Sequence, residues 1–254
     1  NCAKNFKIKK FIYASSSSVY GNSKKFPLKE KENTDHPLSF YAATKKSNEV
    51  FAHAYSHIYN LPTIGLRFFT VYGPYGRPDM SLYKFVSKTD KSETIELYNR
   101  GNHIRDFTHI DDVVDAIRAL ITKKISFKKT PYMIYNIASN TPITLKHYLK
   151  TIEKKMNKKA KIKFKKLQLG DVQKTHGDIK QLNKLINYKP KIKFDYGIEN
   201  YMDNGEKDGT FRMTHQLISY GNPNFKNDVA IMDIIAPSNQ DVYGRTNPTC
   251  NNPQ

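Results

Sequence analysis

Apolar and polar positions along this chain switch repeatedly between two periods. Residues 11–14 (FIYA) form a short unbroken apolar run of the buried-strand kind. Four hydroxyls follow, Ser15 to Ser18, and then Val19-Tyr20-Gly21. Residues 22–39 are polar, carry Pro27 and Pro37, and predict a loop. From Ser39 or Phe40 to about Tyr59, apolar Ala42, Ala43, Val50, Phe51, Ala54, Tyr55 and Ile58 recur at helical spacing, and Asn60-Leu61-Pro62 stops the helix. Residues 63–69 (TIGLRFF) predict the next strand and 71–78 (VYGPYGRP) a Gly/Pro loop.

Later segments repeat the switch. A helix includes residues 83–86, a strand covers 94–98 with a turn at 99–102, and an amphipathic helix covers 111–122. A strand at 132–138 precedes a helix at 145–156, for which Thr144 is the expected N-cap. A short strand at 162–164 and helices at 178–187 and from 197 complete the pattern, while residues 1–10 read as the end of a basic helix. A strand running into small hydroxyl residues is what an α/β protein shows at the carboxyl end of a sheet strand, where ligands bind.

At Asn204 the character changes. Residues 204–254 hold 4 Lys/Arg against 5 Asp/Glu, four prolines and many asparagines, with little periodicity outside 229–235. The division expected is therefore 1–75 as half of a Rossmann-like domain, 76–203 as mainly a substrate domain, and 204–254 as an atypical, poorly ordered tail.

The chain's formal net charge is +19, with +20 on residues 1–203 and −1 on the tail. It fits a lysine-rich solvated surface, or else a nucleic-acid or anionic-membrane partner. No zinc finger, helix-turn-helix or aromatic RNA-binding signature accompanies it, so neither nucleic acid nor membrane is the expected partner. No apolar run approaches 18 residues. Cys2 and Cys250 make neither a disulfide framework nor a CxxC metal pair, which fits a reducing, cytoplasmic setting.

The chemistry centres on Tyr41-Ala42-Ala43-Thr44-Lys45, a YxxxK pattern 25 residues after Ser16. Tyr and Lys at i and i+4 share a helix face, and alone they mark no more than an amphipathic surface. The context sharpens the reading, because a strand ending in serines precedes the pair and a strand with an arginine and a Gly/Pro loop follows it. Taking a proton from a sugar carbinol requires a base. A free tyrosine, with a pKa near 10, is a poor one until an ammonium one turn away favours its phenolate. A serine hydroxyl can relay the proton. Tyr41, Lys45 and Ser16 thus read as oxidoreductase chemistry. A serine nucleophile would need a histidine base, and His36, His53 and His57 lie in no elbow motif.

Six stretches resemble, in order, the motifs of extended short-chain dehydrogenase/reductases: FIYASSSSVYG at 11–21, YAATK at 41–45, LRFFTVYGP at 66–74, GRPDM at 76–80, RDFTHIDDV at 105–113 and LGDV at 169–172. Among them the chain is most similar to the UDP-glucuronate 4-epimerases. The resemblance implies an α/β fold, the C-terminal part of a Rossmann-like doubly wound parallel sheet plus a small substrate domain. It also implies NAD as cofactor, a UDP-sugar as substrate and a homodimer. Tyr41 would be the base, and Lys45 would hold the nicotinamide ribose and tune Tyr41. Ser16 would be the relay, while Ser17 and Ser18 contact the sugar. Phe69 and Thr70 would flank nicotinamide and substrate. Arg105 would hold the diphosphate, Gln168 and Asp171 the nucleotide, and Arg77 the sugar carboxylate.

Simpler readings stand beside these. Arg105 could be a surface partner of Asp106 or Asp111, Asp171 a turn residue after Gly170, Phe69 plain core, and Arg77 a solvated loop arginine or a partner of Asp79 alone. Ser17 and Ser18 stand where related dehydratases carry an Asp-Glu pair, which favours epimerisation over elimination. The sequence contains no GxxGxxG. By that comparison roughly a hundred residues, the first βαβαβ half, are missing. The other readings are a UDP-glucose 4-epimerase, another nucleotide-sugar dehydratase or reductase, or an inactive basic binding protein.

Overall fold

A computed structural model describes residues 1–74, 76–127, 129–168, 170–204 and 229–232, the backbone alone for 203, 204 and 229–232. The elements in chain order are α1 (Cys2–Asn5), β1 (Lys10–Ser16), a 3-10 turn at Ser17–Tyr20, α2 (Phe40–Tyr59), β2 (Thr63–Phe68), β3 (Thr70–Tyr72), α3 (Ser81–Asp90) and β4 (Thr94–Tyr98). A 3-10 turn at Asn99–Gly101, β5 (Ile104–Arg105), β6 (Phe107–His109), α4 (Ile110–Thr122), β7 (Tyr132–Ile137) and β8 (Ile143–Thr144) follow. The chain continues through α5 (Leu145–Met156), β9 (Lys161–Lys165), α6 (Lys180–Ile186), α7 (Phe194–Asn204) and β10 (Val229–Met232).

Four strands form a parallel sheet in the order β10-β1-β2-β7. Because side chains alternate along a strand, each strand serves two layers. Ile12, Ile64, Leu66, Tyr135 and Ile137 face Val113, Ala116 and Leu120 of α4 and Leu182 of α6. Full burial of each aliphatic side chain contributes roughly 1.5–3 kcal/mol. The alternate positions Ser15, Arg67 and Tyr132 meet α2 instead. Helices on both faces make the sheet doubly wound, as the sequence pattern predicts. Gly65 is required by close approach, since a Cβ there would lie 2.5 Å from the Tyr13 hydroxyl.

A second core gathers Tyr72, Leu82, Phe85, Ile95, Leu97, Phe107, Tyr148, Leu149, Ile152, Ile198 and Tyr201. It is edged by three two-stranded pairings: β3 with β6, β4 with β9, and β5 with β8. The two cores interleave along the chain, because α4, β7 and α6 return to the first sheet after residue 76.

Local chemistry sets the helix ends. The Ser39 hydroxyl accepts from Ala42 N at 3.2 Å to start α2, and Asn60 in the left-handed region (φ 52°) ends it. Thr144 caps α5 by accepting from His147 N at 3.1 Å.

Several expectations need correction. Residues 1–10 hold only the short α1, and Lys10 starts β1. The Lys10 ammonium donates to the carbonyls of Leu120, Ile121 and Lys123 at 2.9, 2.7 and 2.6 Å, satisfying the C-terminus of α4. The loop expected at 71–78 begins with a paired strand, β3. Val229–Met232 pairs in parallel with β1, and the rest of the tail expected at 204–254 lies outside the described residues apart from Asn204. Cys2 is no free thiol, while Cys250 lies outside the described residues, so the cysteine count carries no argument for a reducing setting. Among the described residues no helix is long and apolar enough to cross a membrane.

Candidate active site

The site is built where β1 and β2 end. β1 runs out at Ser16, whose Oγ accepts from Ser18 N at 3.2 Å and from Ser18 Oγ at 3.0 Å. These bonds turn the chain into the 3-10 segment and gather Ser16, Ser17 and Ser18 at the strand end, Ser16 buried and the others half-buried. Gly21 closes the turn at φ 56°, where a Cβ would lie 2.5 Å from the His36 carbonyl oxygen.

Helix α2 packs on this serine turn. Its first two turns carry Tyr41 and Lys45 on one face. Tyr41 is 51% exposed, whereas Lys45 is 5% exposed with its ammonium 5.8 Å from the centre of the Tyr41 ring. A reachable phenol thus stands beside a sheltered cation.

Beneath the pair runs a buried polar network. Ser15 Oγ donates to Glu49 Oε1 at 2.6 Å. Arg67 grips both Glu49 oxygens, Nε and Nη2 each at 2.8 Å, and its Nη1 donates to the Glu30 carbonyl at 3.2 Å. The guanidinium lies 4.7 Å from the centre of the Tyr20 ring, and the Tyr20 hydroxyl donates to Asn136 Oδ1 at 2.6 Å. Burial pulls on the Arg67 guanidinium, but its bonds to Glu49 outweigh that and hold its pKa above the ordinary arginine value. Burial pushes Tyr20 up to about 12. Sequence reasoning passed over Glu49 and Arg67 as site residues. The signal was present: a charged residue inside an apolar strand, and a glutamate on the same helical stripe as Tyr41 and Lys45, both demand partners.

Phe69 and Thr70 leave the end of β2 together. Phe69 is buried with Val19, Tyr20, Leu28 and Ala138, its ring 6.4 Å from that of Tyr20. Half-buried Thr70 donates its N–H to the Asp106 carbonyl at 3.1 Å. Arg105 pairs with neither Asp106 nor Asp111, the two partners weighed from sequence. Its Nη2 meets Asp171 Oδ1 at 2.8 Å, and His103 Nε2 lies 3.0 Å from Asp171 Oδ2. Burial lowers the Arg105 pKa, partly offset by Asp171. Asp106 is occupied elsewhere, its carboxylate accepting from Ser139, Asn140 and Gly177.

Asp171 is also a turn residue, donating its N–H to the carbonyl of exposed Gln168 at 3.3 Å around Gly170 (φ 79°). Arg77 is exposed and grips Asp79 through Nε and Nη2 at 2.9 and 2.7 Å, which holds the Asp79 carboxyl below its usual range. The structure therefore groups Ser16–Ser18, sets Lys45 beside Tyr41 and joins Arg105 to Asp171, while Arg77 turns to its sequence neighbour.

Comparison with known proteins gives a consistent result. Residues 1–138 match the NAD dependent epimerase/dehydratase family. Protein CapI of Staphylococcus aureus is 46% identical over 215 residues, which cover 80% of this chain and 64% of that protein. UDP-glucuronate 4-epimerase 5 of Arabidopsis thaliana is 43% identical over 203 residues, covering 75% and 47%. The structure of UDP-glucuronic acid 4-epimerase from Bacillus cereus, in complex with UDP-glucuronic acid and NAD, aligns at 32% identity with a TM-score of 0.74. That alignment covers 79% of this chain and 62% of the other. The chain thus spans less than two thirds of the length of these relatives.

Proposed function

The chain belongs to the NAD dependent epimerase/dehydratase family, and on that premise we propose that it carries the catalytic and sugar-nucleotide-binding part of a 4-epimerase for UDP-glucuronate. The observation that supports this best is half-exposed Tyr41 beside buried Lys45, on a helix packed against the serine turn.

In this reading Tyr41 takes the proton of the sugar C4 hydroxyl and later returns it, with Ser16 as relay. Lys45 places a positive charge beside the phenol and binds the ribose of the cofactor. Ser17, Ser18 and Thr70 contact the hexose, and Phe69 backs the nicotinamide end. Arg105, which meets Asp171 through a single Nη2–Oδ1 contact, exchanges it for the substrate diphosphate, whose oxygens also accept from a guanidinium. Gln168 and the released Asp171 then reach the nucleoside. NAD, held by Lys45 and Tyr41, would supply the hydride-accepting chemistry at C4. The residues present suit the nicotinamide-ribose end: a buried ammonium and a reachable phenol at the carboxyl ends of parallel strands. No GxxGxxG occurs in the 254 residues to cradle the pyrophosphate.

The preference for a uronic acid rests on Arg77, whose planar fork suits a carboxylate and would trade Asp79 for the one at C5. In a chain extended to the length of its relatives, Arg77→Ala should lower kcat/KM for UDP-glucuronate by about 2 kcal/mol, the scale of a lost charge-assisted pair. Turnover of UDP-glucose should be nearly unaffected. Equal losses on both substrates would remove the argument for uronic acids and leave a UDP-glucose 4-epimerase as the better reading.

A homodimer fits the same account. Helix α2 leaves Val50, Phe51, Ile58 and Tyr59 exposed, with Phe6 exposed on α1's flank. A solution mass of one chain by light scattering would argue against it.

A further inference from the structure

We propose that Glu49 and Arg67 are positioning residues for the Tyr41–Lys45 pair, their buried ion pair fixing the rotation of α2 on the sheet. This rests on the reading of Tyr41 and Lys45 given above. Glu49 lies one helical turn beyond Lys45 and two beyond Tyr41 on the same stripe. Its carboxylate is held by two strands at once: Ser15 at the end of β1, next to Ser16, and Arg67 in β2. The side chains of Glu49 and Arg67 are 3% and 4% exposed.

Stability alone does not explain such a pair, because desolvating two charges offsets most of their attraction and a well-packed apolar pair does as well. What the pair adds is direction. Two parallel hydrogen bonds from a planar guanidinium permit one orientation of the carboxylate, and therefore one azimuth of the helix that carries it. An apolar contact would tolerate sliding. Successive residues on α2 are about 100° apart, so a small rotation moves Lys45 out from its sheltered place beside the Tyr41 ring. Ser15 makes the arrangement reciprocal, because the bond that orients Glu49 also fixes the strand end from which Ser16 departs.

The test uses this chain and the shelter of Lys45. Amine acetylation followed by peptide mass spectrometry reads Lys45 directly, with half-buried Lys46 as the internal control. Glu49→Gln keeps the shape and loses the charge-paired geometry. Arg67→Lys keeps the charge and loses the fork, and serves if Glu49→Gln does not fold. Leu120→Ala, on the opposite face of the sheet, lowers stability without touching the network. In a folded Glu49→Gln or Arg67→Lys chain, Lys45 should be acetylated at least about tenfold faster through local opening, with Lys46 changed by less than about twofold. Leu120→Ala should leave Lys45 protected. Lys45 as protected in folded Glu49→Gln as in the unmodified chain, or equally opened by Leu120→Ala, would overturn the proposal. In a chain of the relatives' length, Glu49→Gln should cut kcat by about tenfold or more with little change in KM. Faster acetylation without any fall in kcat would uphold the positioning and count against Lys45 as part of the chemistry.

Discussion

His109 has two ring nitrogens in unlike surroundings. Its side chain is fully buried, Nδ1 accepts from Asp111 N at 3.3 Å to cap α4, and Nε2 meets no hydrogen-bond partner among the described residues. Nδ1 therefore carries the lone pair and Nε2 the proton. Burial holds the His109 pKa below its ordinary value, partly offset by Asp111 and Asp112, and burial lowers His103 as well. An unfolded histidine titrates near 6.5, so below that pH the unfolded chain binds more protons than the folded one. The histidine contribution to stability is thus present at neutral pH and declines as pH falls through about 6.5 toward the lower folded values. Glu30 and Asp106, raised by burial, act with the opposite sign: they favour the folded state at low pH and lose that effect as pH rises. A difference measurement isolates the histidine. His109→Asn keeps an N-cap acceptor and removes the titration. Its Tm should fall less than that of the unmodified chain between pH 7.5 and 5.5, and parallel Tm curves would refute the assignment. At this scale the sequence exposed what is local: the Tyr41–Lys45 spacing and the serine run. It hid the partner of Arg105, which lies 66 positions away at Asp171 and becomes visible only once β5 and the 168–171 turn are folded together.

The elements most legible in the sequence are those long enough to show a period and ended by a cap, such as α2 between Ser39 and Asn60 and α5 behind Thr144. Those missed are strands of two or three residues, β3, β5, β6 and β8, too short to alternate visibly. Their placement depends on a buried hub that links distant segments. Asp106 Oδ1 accepts from Ser139 N and Oγ at 2.8 and 2.7 Å, and Oδ2 accepts from Asn140 N and Gly177 N at 3.2 and 2.9 Å. The hub ties the chain after β7 and the segment before α6 to the β5–β6 connection, directly beside Arg105 and Thr70. Asp106→Asn is nearly the same size but must turn an amide donor toward N–H donors in either orientation. Each unsatisfied buried group costs about 1–3 kcal/mol, so a loss of at least about 2 kcal/mol is expected in denaturant unfolding. A loss below about 0.5 kcal/mol would show that the loops hold without the hub.

The whole molecule joins a doubly wound parallel sheet to a second core, with the proposed reacting groups at the carboxyl ends of β1 and β2. The sheet edge beyond β1 is taken by Val229–Met232, within the one stretch of the tail, 229–235, that shows periodicity in the sequence, although its pairing partner is not legible there. Since the sequence holds no glycine loop for a pyrophosphate, calorimetric titration of this chain with NAD should show weak binding or none. Micromolar affinity would mean that the serine turn and Lys45 recruit the dinucleotide unaided.

In the proposed function Tyr41 drives a reversible oxidation at C4 of a nucleotide sugar. The most direct test gives UDP-glucuronate deuterated at C4 to a chain of the relatives' length, alongside the Tyr41→Phe variant, and follows both by NMR. Conversion to UDP-galacturonate with the deuterium retained at C4 is the expected result. Tyr41→Phe should still bind the sugar nucleotide but turn over at least about a hundredfold more slowly, the scale of a lost general base. Deuterium washed out to solvent, or a Tyr41→Phe rate within about tenfold of the unmodified chain, would contradict it.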